Sequence, residues 1–137
     1  MANFDTIKTG IAGRLNALGY VEASQITDFK NASALEYGNT FILKSLSGEN
    51  VEGTIIDRFY DKQDWQILVA FARSENNDII QYDAAQRAKD LIIKDLDNPA
   101  NWTSFVKVLK YKSWGIVETP NHFVVDIRLS IIDLYIY

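Results

Sequence analysis

Cysteine is absent from the 137-residue sequence, which also holds only one histidine and two prolines. Without cysteine there is no disulfide framework, no thiolate nucleophile and no cysteine-held zinc. A single histidine provides no cluster for a metal and little material for a proton relay. Basic residues are too few for a dedicated nucleic-acid-binding module, since 14 Lys+Arg face 18 Asp+Glu for a net charge of -4. No window approaches the ~18 consecutive apolar residues of a membrane-spanning helix. Nor does a basic region followed by an apolar stretch open the chain. The expectation is a soluble protein made inside the cell. What is present is 47% hydrophobic and 23% charged residues, enough to bury a core. The length suits one domain, residues 1–137.

Phe4, Ile7, Ile11, Leu15 and Leu18 recur at spacings of three and four, which predicts an amphipathic helix over 3–18. Asn3 suits its N-cap, and Gly19 suits a left-handed end. Gly10 and Gly13 weaken this helix and imply a close approach by a neighbouring element. Residues 20–39 are aperiodic and read as a connecting arm with at most one short strand. A β meander is expected over 40–73, with strands at 40–46, 51–60 and 65–73. Its polar turns fall at Ser47–Asn50 and Asp61–Asp64. Tyr82, Ala85, Ala88, Ile92 and Leu96 mark a second helix over 79–96, which Pro99 stops. A C-terminal β hairpin over 105–137 turns at Glu118–Asn121. Helices and strands are segregated, so the expected class is α+β. An antiparallel sheet of about four to five strands carries two helices packed on one face.

Catalytic signatures are missing. Gly10-x-x-Gly13 lies mid-helix without the strand before it or the lysine after it that a phosphate loop needs. There is no G-x-S-x-G elbow and no H-E-x-x-H. His122 reads as a turn or strand-edge side chain. Asp57 and Asp126 alternate outward beside Arg58 and Arg128, as on a wet sheet face. Asp61, Asp64, Asn76, Asn77 and Asp78 lack calcium-loop spacing and serve as turn formers. The lysines interleaved with aromatics over 107–114 read as a solvated strand face. No catalytic, cofactor-binding or metal-ligating residue is expected.

The final strand is the unusual feature. Phe123, Val125, Ile127, Leu129 and Ile131 share one face. The opposite face begins polar with His122, Asp126, Arg128 and Ser130, then turns apolar at Ile132, Leu134 and Ile136. An apolar chain end left unpaired is an aggregation hazard, so a neighbouring subunit is expected to cover it.

In this order of elements the chain resembles the tail terminator (tail completion) proteins of long-tailed bacteriophages. The resemblance is carried by the opening helix and arm, then by Gly53-Thr54-Ile55-Ile56-Asp57-Arg58-Phe59-Tyr60 and Trp65-Gln66-Ile67-Leu68-Val69. The helix from Ala84 to Ile93 and the closing strand from Phe123 to Ile131 complete it. It implies a non-enzymatic virion protein of the tail or neck, assembled in the host cytoplasm without cofactor or membrane partner. Such proteins form six-membered rings that cap the tail tube, stop its polymerisation and join it to the head-side connector or stopper protein. The ring is then a passage for genome DNA without sequence-specific recognition. The contacts expected on this reading are Ile132, Leu134, Ile136 and the arm around Phe29, Leu35 and Tyr37. Asp61, Lys62 and Asp64, at an expected loop tip, would face an axial partner. Two other readings are another neck or minor tail component and a cone-shaped small-molecule-binding domain of the nuclear-transport-factor-2-like type. The cone would line its pocket with Trp65, Phe71, Trp102 and Trp114 around Asp57 or Asp126.

Overall fold

The computed structural model describes residues 4–26, 29, 37–50, 58–74, 76–98, 101 and 106–136. Helix α1 spans Phe4–Ala17 and buries Ile7, Ile11 and Leu15. Burying each of these is worth about 1.5–3 kcal/mol, which outweighs about 1 kcal/mol lost at each helical glycine. A Cβ on Gly13 would meet nothing within 4 Å, so the expected close approach does not account for that glycine. Gly19 has φ +98°. Its N–H donates to the Asn16 carbonyl at 3.0 Å, and that of Tyr20 to Leu15 at 3.1 Å. This double bond pattern ends the helix as the glycine predicts.

Five strands form one sheet. They are β1 (Val21–Glu22), β2 (Thr40–Asn50), β3 (Arg58–Ala72), β4 (Val106–Glu118) and β5 (His122–Ile136). The spatial order is β1-β2-β3-β5-β4. All neighbours are antiparallel except the two-residue edge strand β1 with β2, so the expected antiparallel sheet carries one short parallel addition. Helix α2 (Asp78–Leu96) follows β3 and buries Ala85, Ala88, Ile92 and Leu96. The class is α+β, with the helices packed against the sheet.

Two sequence expectations fail here for one reason. Asp61–Asp64 is not a turn, because β3 runs unbroken through it, and β2 likewise continues through Ser47–Asn50. Side chains within β3 and on its neighbouring strands satisfy part of the polar run. The Trp65 indole N–H donates to Gln63 at 2.9 Å, and Asp64 accepts hydrogen bonds from Ser130 and Lys112.

The core beneath the helices gathers Phe41, Trp65, Ile67, Val69, Val125, Ile127 and Leu129 from the sheet with the helical stripes. A second, smaller cluster lies on the far face, where Phe29 packs on Ile42, Leu68, Ala70 and Val124. Phe29 is fully buried and adopts φ 63°, a conformation costly for a bulky side chain. Its ring lies 5.2 Å from that of Tyr37 and 6.1 Å from that of His122. His122 is thus buried under the arm, not a strand-edge side chain.

Candidate functional site

Strand order decides which surfaces are open. β5 is not an edge, since it pairs with β3 through Ile136 and with β4 through Asp133. The terminal ribbon expected to lie unpaired is therefore a central strand. Ile132 is half-buried there, level with Lys62 on one side and Val108 on the other. Leu134 and Ile136 lie opposite Tyr60 and Arg58, and their side chains fall outside the described set, as does Leu35 altogether.

The remaining expected contacts also move. Phe29 is spent on the chain's own sheet, and Tyr37 packs half-buried beside it. This removes Phe29 from the surface a neighbour would touch. Asp61, Lys62 and Asp64 lie inside β3 rather than at a loop tip, which overturns the axial placement. Asp64 faces the Lys112 ammonium at 3.0 Å, and Lys62 is half-buried.

The surface features that sequence reading missed are the two margins of the sheet. Over 62–72 of β3 and 122–132 of β5, where side chains are described, no large hydrophobic side chain is exposed. At one margin Val21 and Leu46 are exposed on β1 and β2, with Ile26 in the segment after β1, while the exposed Phe4 of α1 lies over Trp65 of β3. At the other, β4 exposes Trp114 and Val117, with Ile79 and Tyr82 of α2 beside it, and α2 further exposes Ile80 and Leu91. Ile79 is 79% accessible, Val21 65% and Trp114 56%. Sequence periodicity marks which residues share a face, but it carries no strand order. The only available signal was that Ile79, Ile80 and Leu91 fall off the helical stripe.

Beside β4, Ile79, Tyr82, Ile116 and Phe123 line an open notch of about 300 Å³, with Asp78 and Glu118 at its rim. Tyr82 meets Phe123 edge-on at 5.4 Å. Arg73 braces this corner. Its guanidinium donates twice to Asp78 at 2.9 Å, and at 2.8 Å to both Glu118 and the Thr119 carbonyl. Its carbon sits 4.6 Å from the Phe123 ring centroid. The hydrogen bonds from Arg73 hold the Asp78 carboxyl below its ordinary value. An open cleft of about 410 Å³ adjoins Arg73, Ser74, Asp78, Pro120 and Asn121. There the Ser74 hydroxyl is bonded to Asn77 at 2.6 Å, not to a base. These groups fasten the start of α2 to the β4–β5 hairpin.

The pocket expected of a cone-shaped binder is not assembled by the described residues. Trp65 and Phe71 are buried in the packed core, whereas Trp114 is exposed. Asp126 lies on the opposite face, bonded to Gln66 at 3.0 Å and 3.7 Å from Arg128. Asp57 and Trp102 fall outside the described set. Among the described residues no group of three or more His, Asp or Glu is placed to hold a metal. No described helix is long and apolar enough to cross a membrane. The sequence matches no protein-family model and no curated protein.

Proposed function

We propose that the protein is a structural ring subunit, a tail terminator of a long-tailed bacteriophage. Its work is geometric rather than catalytic. The observation that carries this reading is that both sides of the sheet expose apolar side chains on their outer strands, Val21 on β1 and Leu46 on β2 at one side and Trp114 and Val117 on β4 at the other. Two unlike sticky margins on one subunit favour head-to-tail association, and such contacts close into a ring when the rotation per subunit divides the circle. A ring of six caps the tail tube, ends its growth and offers its other side to the head-side connector or stopper. The arrangement of elements adds support through its resemblance to that family.

Native mass spectrometry together with electron microscopy of the protein mixed with tail tubes tests this. Six-membered rings with a central hole, seated at one end of each tube, are the expected result. A strict monomer at high concentration, with tubes present, overturns the reading.

A further inference from the structure

We infer that neighbouring subunits join sheet to sheet, the outer edge of β4 pairing antiparallel with the outer edge of β2 in the next copy. The inference rests on the ring reading and specifies its joint.

Directions come first. β2 is antiparallel to β3, β3 to β5, and β5 to β4, so β4 runs opposite to β2. Rotation about an axis along the strands preserves both strand direction and the side on which the helices lie. β4 of one copy therefore meets β2 of the next as an antiparallel neighbour, with both helix layers on the same side.

Both edges are open among the described residues. β4 is the last strand of the sheet, and β1 covers β2 only at Thr40 and Phe41. The lengths match, at 13 residues for β4 and 11 for β2. Tracing pairs across the sheet sets which residues stand level. Tyr111 stands level with Ser45 through Leu129 and Trp65, and Trp114 with Leu43 through Ile127 and Ile67. Ser113 stands level with Lys44 through Arg128 and Gln66.

Apolar surface then falls opposite apolar surface. Trp114 pairs with the inward-facing Ile127 and so lies on the helix face. On that same face Phe4 of α1 stacks at 5.4 Å on Trp65 of the inner strand β3. Further along, β1 takes the place of an open β2 edge. There the exposed Val21 stands level with the exposed Val117, both on the face away from the helices.

The absence of native cysteine makes thiol cross-linking a clean test. The Lys44→Cys/Ser113→Cys double variant, treated with a short bis-maleimide under conditions where native mass shows rings, should give a ladder of covalent oligomers. Each single variant should give none. Dimers from Ser113→Cys alone would mean that β4 pairs with itself, which overturns the inference. Rings by native mass without a ladder would place the joint elsewhere, overturning the inference while the ring reading stands. Only monomers, with and without tail tubes, overturns both. Trp114→Lys supplies a second readout: its thermal midpoint should stay unchanged while the ring population is lost. Full ring formation by that variant also overturns the joint.

Discussion

Arg14 of α1 and Asp95 of α2, 81 residues apart in the chain, are joined by two parallel hydrogen bonds of 2.8 Å. The pair clamps the two helices to each other above the sheet, and Asn101 closes the end of α2 by donating to the Asp95 carbonyl at 2.8 Å. Because Arg14 hydrogen-bonds its charged form, the Asp95 carboxyl lies below its ordinary value.

That shift sets an acid limb. A carboxyl with a depressed folded pKa contributes stability that is complete above its unfolded value near 3.8 and is lost as pH falls through the folded value. Asp78 acts in the same direction through Arg73. The thermal midpoint should hold steady from neutrality to about pH 5 and fall below about pH 4. Asp95→Asn should lower the midpoint at neutral pH and flatten the acid limb. An acid limb identical to that of the parent would contradict the assignment.

The covered stripe of α2 predicts a contrast between neighbours. Ile92 is fully buried and Leu91 is 52% exposed. Ile92→Ala should cost about 2–5 kcal/mol in urea titration. Leu91→Ala should stay within about 0.5 kcal/mol.

Two glycines of the first helical segment should respond with opposite signs. At Gly13, an exposed helical position with open space around it, alanine should add about 0.5–1 kcal/mol. At Gly19, where φ is +98°, alanine should remove about 1–2 kcal/mol. Equilibrium unfolding of the two variants checks both.

Phe29 gives the far face its cover. Phe29→Ala should cost about 3–5 kcal/mol, because it empties the site formed with Ile42, Leu68 and Val124. Denaturation of monomeric protein at low concentration distinguishes this from a subunit contact. A contact residue would leave the monomer unaffected.

The helices were legible because Ile7, Ile11 and Leu15, and then Ala85, Ala88, Ile92 and Leu96, repeat at the helical period and face one core. The α+β class followed from their separation from the strands. Two kinds of information were not local. Asp61–Asp64 reads as a turn in isolation, since nothing nearby in sequence indicates that Ser130 and Lys112 will satisfy Asp64. Strand order is likewise invisible to periodicity, so the apolar pattern of the final strand gave no sign that it lies paired between β3 and β4. The arm misled for a related reason. Its lack of period gave no hint that Phe29 seals the far face from within.

The position of β5 between β3 and β4 bears on biogenesis. As the nascent polypeptide leaves the ribosome, β2 and β3 emerge long before the strand that will lie beside β3. For that interval β3 presents an unsatisfied backbone, shielded at best by α2. The sheet can be zipped up only when this inner strand arrives after all the others, so a translational stall just upstream of His122 would strand an adhesive half-sheet.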